Sequence, residues 1–203
     1  MKDVETASGR SVSRETLELL ERFREMLLHE NASQNLISKA SEPELWTRHI
    51  LDSAQLLRFA PAAASWTDIG TGPGLPGVVI AILDPNPVIL IEPRRKRVDF
   101  LTFVKRALSL FNVKIIHGRA DAARSQTDFI TARAVASPGE LFGMSSHLRH
   151  AGTTYILPRG RSAQSELAEL GNTWQGEFTL HRSLTSDEAS ILVARNVRRR
   201  GPR

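Results

Sequence analysis

Over the first sixty residues, apolar side chains recur at three- and four-residue spacing, and this pattern predicts two helices. The first helix follows Ser13, a candidate N-cap. Its apolar face consists of Leu17, Leu20, Phe23 and Leu27. The second helix is expected to begin with a capping box at residues 41–44, with Pro43 in its first turn, and to end before Pro61.

From Ser65 onward, the pattern changes to short apolar runs that alternate with helical stretches. The predicted strands are 66–69, 88–91, 113–116, 128–131, 153–157, 177–181 and 189–194. The predicted helices are 75–83, 96–110, 141–148 and 163–170. This alternation is typical of a mostly parallel sheet with helices on both faces, so we expect a doubly wound α/β fold whose last two strands form an antiparallel pair at one edge.

Three parts follow from this pattern: a helical N-terminal extension (1–62), the α/β domain (63–197) and a basic tail (198–203). The composition, 41% hydrophobic and 24% charged, is ordinary for a globular protein. The absence of cysteine excludes disulfides, zinc–thiolate sites and cysteine nucleophiles, and we expect no metal site. Because the N-terminus is polar and the longest apolar run, 78–83, is too short to span a bilayer, we expect a cytoplasmic protein without a membrane partner.

The net charge of +5 is unevenly distributed. Residues 195–203 hold five arginines and no acid, and the rest of the chain has 22 basic and 22 acidic residues. A second basic cluster lies at residues 94–97. Basic runs attract polyanions by releasing counterions, although the tail can equally be a solvated surface with no ligand.

The strongest local signal is the glycine-rich junction at residues 68–77, which follows a predicted strand and opens a predicted helix. Gly70, Gly72 and Gly74 are spaced as G-x-G-x-G, and Leu75 stands where a dinucleotide fingerprint would place its third glycine. This spacing favours a nucleoside ligand without a pyrophosphate, such as S-adenosylmethionine. The alternative is that these glycines serve only the turn.

Two further strand ends belong to the same candidate cofactor site. Glu92 ends the next strand, 22 residues after Gly70, where an acid can accept hydrogen bonds from ribose hydroxyls. Ala120 and Asp121 follow the third strand, where their backbone and the carboxylate can meet an adenine ring. An ordinary β–α loop explains these two residues equally well.

Four segments together resemble the bacterial small-subunit ribosomal RNA guanine-N7 methyltransferase family, also called the glucose-inhibited division protein B family. They are N-A-S-Q-N-L-I at 31–37, R-H-I-L-D-S at 48–53, D-I-G-T-G-P-G-L-P-G at 68–77 and A-R-A-V-A at 132–136. Their order and spacing match the family, and the combination is much more specific than the glycine junction alone.

The resemblance implies a cytoplasmic class I methyltransferase with a Rossmann-like sheet. The implied enzyme uses S-adenosyl-L-methionine to methylate N7 of guanine 527, in the 530 loop of 16S ribosomal RNA, as naked RNA or in the 30S subunit. Family cofactor positions carry over to Gly70, Leu75, Ala120, Asp121 and Arg133. Two positions depart from the family pattern, which usually has glutamate at Asp121 and lysine at Arg159. We also expect a monomer.

Guanine N7 has a free lone pair at neutral pH, so its methylation requires positioning but no general base. We expect three catalytic residues, Arg133, His49 and Asp52. His49 and Asp52 lie one helical turn apart, although they can instead serve only to cap or pair within the extension. Arg133 can contact either the carboxylate of the cofactor or O6 of the base. The candidate phosphate contacts are Arg94, Arg95, Arg97, Arg159, Arg161, Arg198, Arg199 and Arg200.

Three alternatives stay open at the level of sequence. A small-molecule methyltransferase would share the cofactor fold but would not need the basic tail. A nucleotide-dependent oxidoreductase is disfavoured by Leu75 and by the helical extension. An RNA-binding or ribosome-assembly protein with a degenerate cofactor site is disfavoured by the intact glycine set and Glu92.

Overall fold

The computed structural model of the chain describes residues 1–62 and 64–201, and it contains seven strands within these ranges. The strands are β1 (Trp66–Ile69), β2 (Val88–Glu92), β3 (Val113–His117), β4 (Phe129–Thr131), β5 (Thr154–Arg159), β6 (Trp174–Arg182) and β7 (Ser190–Arg199). The α-helices are α1 (Lys2–Ser8), α2 (Arg14–Gln34), α3 (Asp52–Ala54), α4 (Gly77–Leu83), α5 (Arg95–Ala107), α6 (Pro138–Met144) and α7 (Ala163–Thr173). A π-helical stretch, Trp46–Leu51, leads into α3, and a 3₁₀ stretch, Gln55–Phe59, follows it.

The strands form one sheet in the order β3-β2-β1-β4-β5-β7-β6. Strands β1 to β5 are parallel, and β7 runs antiparallel to both β5 and β6. The order reverses between β1 and β4, which creates a topological switch point at their carboxyl ends. The doubly wound α/β fold and the antiparallel pair at one edge are therefore confirmed.

Apolar side chains cover both faces of the sheet. Along β2, Val88 and Leu90 pack into a cluster with α2, α4 and α5, whereas Ile89 and Ile91 pack into a second cluster with α6 and α7. Because successive strand residues point to opposite faces, a strand buried on both sides must be apolar throughout. Residues 88–91 of β2 are uniformly apolar and meet this requirement, and the buried Glu92 ends the strand.

The N-terminal extension packs against the sheet domain through the predicted face of α2. Leu20, Phe23 and Leu27 are fully buried, and the Ser13 hydroxyl accepts a hydrogen bond from the Thr16 backbone N–H at 3.2 Å, as expected of an N-cap. A short helix that the pattern did not predict, α1, precedes α2 and buries Val4. The extension therefore forms part of the same hydrophobic core as α4 and α5.

The predicted capping box at residues 41–44 is wrong. The Ser41 hydroxyl donates to the Ser38 carbonyl at 2.8 Å and lies 3.1 Å from His49 Nε2, so it is not available to cap a helix. Glu44 instead pairs with Arg48 at 3.3 Å. A capping box does form at Ser137 and Glu140, at the start of α6.

The C-terminal arginines are more ordered than a solvated tail. Arg198 and Arg199 belong to β7, in register with Gln175 and Trp174 of β6. The backbone N–H of Arg200 donates to the Thr173 carbonyl at 2.9 Å. Arg203 lies outside the described residues. In the part of the chain that the structure describes, no helix is long and apolar enough to cross a membrane, and no group of three or more side chains is suited to hold a metal ion.

Candidate active site

The glycine junction connects β1 to α4 through backbone that favours glycine. Gly70, Gly72 and Gly74 have positive φ angles of 64°, 59° and 98°. A Cβ atom at Gly70 would lie 2.6 Å from Val135 Cγ2, and one at Gly74 would lie 2.4 Å from Val78 Cγ2. Since these distances are shorter than any ordinary contact, larger residues would displace the segment after β4 or the start of α4. The helix consequently begins at Gly77, two residues later than predicted.

Glu92 fixes the conformation of this turn from the end of β2. Its carboxylate is almost fully buried, and Oε2 accepts a hydrogen bond from the Gly72 backbone N–H at 2.9 Å. Oε1 accepts from the Arg94 backbone N–H at 2.8 Å, and Arg97 Nη1 lies 4.0 Å from Oε2. Each oxygen has a second lone pair, so the carboxylate can still accept hydrogen bonds from a ligand.

Asp68 lies beneath the turn at the end of β1 and is fully buried. Its Oδ2 accepts hydrogen bonds from Thr71 Oγ1 at 2.6 Å and from the Gly77 backbone N–H at 2.8 Å. Burial raises the pKa of this carboxyl group to about 7, against the lowering effect of both hydrogen bonds. The sequence interpretation included Asp68 in the junction without assigning it a role. The available signal is an acid within a short predicted strand that leads directly into the glycine-rich turn.

Two buried polar atoms at the switch point have no hydrogen-bond partner among residues 1–62 and 64–201. They are Asp68 Oδ1 and Thr131 Oγ1, and their residues are register neighbours on β1 and β4. Buried polar atoms of this kind usually have a partner in the functional state, such as a ligand or an ordered water. A ligand that carries hydroxyl and amino groups therefore fits this position, and S-adenosylmethionine has both.

Ala120 and Asp121 lie in a 3₁₀ turn just beyond β3, on the far side of Glu92 from the glycine junction. Ala120 is buried, and its carbonyl oxygen lies 3.1 Å from His147 Nε2. Asp121 is exposed. The ends of β1, β2 and β3 thus bring the predicted cofactor residues to one edge of the sheet.

Arg133 follows β4 and meets the N-terminal extension at His49. Arg133 Nη1 lies 3.0 Å from His49 Nδ1, and a guanidinium can only donate, so Nδ1 is the acceptor. The hydrogen-bond network thereby assigns a neutral imidazole with its proton on Nε2, which is directed at the Ser41 hydroxyl. Burial, together with the positive charges of Arg133 and Arg48, lowers the pKa of His49 to about 4.

Asp52 approaches the same guanidinium from the next helical turn. Asp52 Oδ2 lies 3.9 Å from Arg133 Nη1, and the two side chains are only 16% and 23% exposed. Burial lowers the pKa of Arg133, whereas the negative charges of Asp52 and Asp68 raise it. The three residues predicted to be catalytic are therefore in mutual proximity beside the glycine junction.

Several residues that hold this cluster had no signal in the sequence. Asp52 Oδ1 accepts hydrogen bonds from Thr185 Oγ1 at 2.7 Å and from Gln55 Nε2 at 2.8 Å. Gln55 Oε1 also accepts from the Leu184 backbone N–H at 2.8 Å. The turn between β6 and β7 thereby connects to the N-terminal extension, which only the tertiary structure reveals.

The arginines predicted to contact RNA differ in their environments. Arg94 and Arg95 are exposed at the start of α5, and Arg95 pairs with Asp99 at 2.9 Å. Arg97 is instead directed at Glu92. Arg161 forms an exposed ion pair with Glu188. Because β7 is antiparallel to β5, its last residues lie beside the amino ends of the parallel strands. The glycine junction lies at their carboxyl ends, so Arg198, Arg199 and Arg200 are far from it, at the other end of the strands.

Arg159 has an internal role in the structure. Its Nε donates to Glu166 at 2.7 Å, its Nη1 donates to the Ala136 carbonyl at 3.1 Å, and the side chain is 12% exposed. These contacts connect β5 and α7 to the segment that follows Arg133. The fork geometry of arginine permits both contacts at once, which a lysine ammonium reproduces less well.

Two cavities are relevant to ligand binding. One, of about 290 Å³, adjoins Arg133 at the carboxyl ends of β4 and β5. Its lining consists of Asp52, Arg133, Ala134, Pro158, Arg159, Gly160, Ala189, Ser190 and Ile191. A larger cleft of about 550 Å³ lies between α6, α7 and the end of β7, and Arg199 is the predicted site residue in its lining.

Comparison with known proteins places the chain in a family. The family model for rRNA small subunit methyltransferase G matches residues 16–192. A protein of that name from Sphingopyxis alaskensis is 43% identical over 86% of this chain and 76% of its own length. Another, from Rhizorhabdus wittichii, is 40% identical over 94% of this chain and 90% of its own.

Solved structures share the fold at much lower identity. The ribosomal protein L11 methylase from Lactobacillus delbrueckii subsp. bulgaricus aligns with a TM-score of 0.58 at 13% identity, covering 76% of this chain and 79% of that one. TYW2 from M. jannaschii, solved in complex with AdoMet, aligns with a TM-score of 0.56 at 13% identity, covering 74% and 76%. The fold is thus that of Rossmann-like S-adenosylmethionine-dependent methyltransferases, and the chain belongs to the rRNA small subunit methyltransferase G family.

Proposed function

We propose that this protein transfers a methyl group from S-adenosylmethionine to N7 of guanine 527 in the 530 loop of 16S ribosomal RNA, as a cytoplasmic monomer. The observation that carries the proposal is the position of Arg133. It lies at the topological switch point, between the glycine junction and two side chains of the N-terminal extension, His49 and Asp52. A cation at this position suits a purine that presents acceptors.

The cofactor would bind along the carboxyl ends of β1, β2 and β3. Of the predicted cofactor residues, we assign Arg133 to the base and the others to the cofactor, namely Gly70, Gly72, Gly74, Leu75, Glu92, Ala120 and Asp121. When bound, S-adenosylmethionine would supply an electrophilic methyl group for in-line attack by a nucleophile, with S-adenosylhomocysteine as the leaving group. Asp68 Oδ1 and Thr131 Oγ1 are further polar partners for this ligand.

The side chains at the acceptor side would position the base without removing a proton from it. N7 and O6 of guanine are both hydrogen-bond acceptors, so Arg133 can donate to O6 while N7 is free to react. His49 is neutral at physiological pH, and its Nδ1 lone pair already accepts from Arg133, so we infer a positioning role for it. Orientation of the reactants and exclusion of water are sufficient for this displacement.

Binding of the RNA would combine phosphate contacts with extrusion of the base. The major groove of A-form RNA hides N7, so the target guanine must lie in a loop or leave its stack. Arg94 is exposed beside the glycine junction, where it can contact phosphates near the reacting base. Three other arginines already have ion-pair partners, so we expect them to contribute less. These pairs are Arg95 with Asp99, Arg159 with Glu166 and Arg161 with Glu188.

The test is to map N7 methylation of 16S ribosomal RNA in cells with and without the gene. Chemical cleavage at 7-methylguanine should be lost at one guanine of the 530 loop in the deletion strain and restored by the wild-type gene. The Arg133→Ala variant should fail to restore it, whereas Arg24→Ala, an exposed arginine on α2, should succeed. Unchanged methylation in the deletion strain would refute the proposed function.

A further inference from the structure

The 290 Å³ cavity beside Arg133 has the size and the lining of a pocket for one nucleobase. Its volume is close to about 300 Å³, the lower end of the range for small-ligand pockets. Pro158, Ala134 and Ile191 supply apolar wall, and Asp52 and Arg133 supply charge. The cavity lies at the β4–β5 side of the switch point, adjacent to the predicted cofactor residues on the β1–β3 side.

In this cavity, one carboxylate oxygen of Asp52 already accepts hydrogen bonds from the protein, and the other can accept from a ligand. Thr185 and Gln55 both donate to Oδ1, which uses the two lone pairs of that oxygen. No hydrogen bond from the described part of the chain reaches Oδ2, whose nearest cation is Arg133 at 3.9 Å. The carboxylate is therefore held rigidly, with an acceptor free for a ligand.

The guanidinium of Arg133 likewise has hydrogen-bond donors that the described residues leave unused. A guanidinium carries five N–H groups, and among the described residues the hydrogen bond to His49 uses one of them. The cavity consequently offers free donors on Arg133 next to a free acceptor on Asp52. A complementary ligand must present an acceptor next to a donor.

We propose that this cavity is the pocket of the target guanine and that Asp52 Oδ2 selects guanine by accepting hydrogen bonds from its N1–H and N2–H groups. This inference rests on the proposed function. Around the purine, the order is N7, O6, N1 and N2. The structure offers the matching order, since the segment that carries Arg133 packs against the glycine junction through Val135, and Arg133 lies 3.9 Å from Asp52. With O6 on Arg133 and N1–H on Asp52, N7 faces the cofactor side.

The same arrangement rejects adenine. Adenine carries an amino group where guanine has O6, and its N1 is an acceptor where guanine has N1–H. The amino group would face the donors of Arg133, and N1 would face the carboxylate of Asp52. Both contacts are repulsive, and leaving the free acceptor of Asp52 and the free donors of Arg133 unsatisfied in a partly buried site is costly.

The test is a comparison of guanosine with inosine, which lacks only the N2 amino group. Small subunits are reconstituted from 16S ribosomal RNA that carries guanosine, inosine or adenosine at the target position, and N7 methylation is followed by mass spectrometry. The wild type should prefer guanosine over inosine by about 10-fold or more in kcat/KM, the effect of one hydrogen bond to a charged acceptor. It should not methylate adenosine.

The Asp52→Asn variant should lose this preference. Asparagine keeps an oxygen for Thr185 and Gln55 and replaces only Oδ2 by an amide that donates. We expect guanosine and inosine to react at rates within about 2-fold of each other, with cofactor affinity by calorimetry unchanged. Asp187→Asn, on an exposed aspartate of the same β6–β7 turn, should keep the wild-type preference.

Three results would overturn the inference. A wild-type enzyme that methylates guanosine and inosine equally does not read the N2 group. An Asp52→Asn variant that keeps the preference assigns the selection to other residues. A wild type that fails to methylate guanosine at N7 refutes the proposed function itself and the pocket with it.

Discussion

His49 provides a direct test of the site through the pH dependence of stability. In the folded protein its imidazole is half-buried, accepts a hydrogen bond from Arg133 and has a pKa lowered from 6.5 to about 4. Protonation would place a positive charge against the guanidinium and remove the lone pair that accepts this bond. The folded state therefore resists protonation that the unfolded chain accepts freely.

The sign and size of the effect follow from this difference in pKa. Between pH 6.5 and pH 4, the unfolded chain binds a proton at His49 that the folded protein does not bind, so stability falls as the pH falls through this range. For an imidazole fully shielded from water, this lowering of the pKa corresponds to about 3 kcal/mol in the free energy of unfolding. Because water reaches part of the imidazole and pH 4 is near the end of the transition, we expect roughly 1.5 kcal/mol between pH 7.5 and 4.5.

The measurement compares wild type with His49→Asn by urea denaturation across this pH range. Asparagine retains an acceptor near the position of Nδ1 but does not titrate. Other groups that titrate, including Asp68 with its raised pKa, are present in both proteins and cancel in the difference. From pH 7.5 to pH 4.5, the free energy of unfolding of the wild type should fall by about 1.5 kcal/mol relative to that of His49→Asn. A difference that stays constant would show that His49 is not a neutral, half-buried acceptor of a hydrogen bond from Arg133.

Two further predictions concern ligands. Gly72→Asp should lower the affinity for S-adenosylmethionine at least 100-fold by calorimetry, because it strains a turn whose φ angle is 59° and adds a carboxylate next to Arg97. Gly171→Asp, in open space on α7, should bind the cofactor normally. Equal affinity for both variants would contradict the cofactor assignment. Arg94→Gln should weaken binding of ribosomal RNA and lower the slope of log K against log salt concentration by roughly 0.7 per lost phosphate contact. Arg159→Gln should leave this slope unchanged, because the charge of Arg159 is paired with Glu166. The reverse ranking would contradict these assignments.

The fold was predictable wherever its requirements are local. Uniformly apolar runs identify the buried strands, and the positive φ angles of Gly70 and Gly72 require a residue that the sequence supplies at that spacing. The prediction failed where a side chain that could cap a helix makes other contacts in the tertiary structure. Residues 41–44 carry the composition of a capping box, but Ser41 is committed to Ser38 and His49, a choice that depends on the tertiary position of His49.

The supporting residues of the site could not be predicted, because they come from distant parts of the chain. Thr185 is 133 positions from Asp52, and no periodicity or motif marks it. The sequence offers Arg159 as a candidate phosphate contact. Its partners, Glu166 and the Ala136 carbonyl, become apparent only when β5, α7 and the segment after β4 are brought together.

The sequence left open whether Arg133 serves the cofactor or the base, and the position of the N-terminal extension favours the base. His49 and Asp52 reach Arg133 from the extension, whereas the predicted cofactor residues all lie on the sheet domain. A residue dedicated to the cofactor would need no partner outside that domain. Because the extension supplies both the acceptor that orients Arg133 and the carboxylate beside it, we propose that it serves the acceptor base. On this proposal, an extension packed into the core of the sheet domain gives a common cofactor fold the means to recognise one nucleobase.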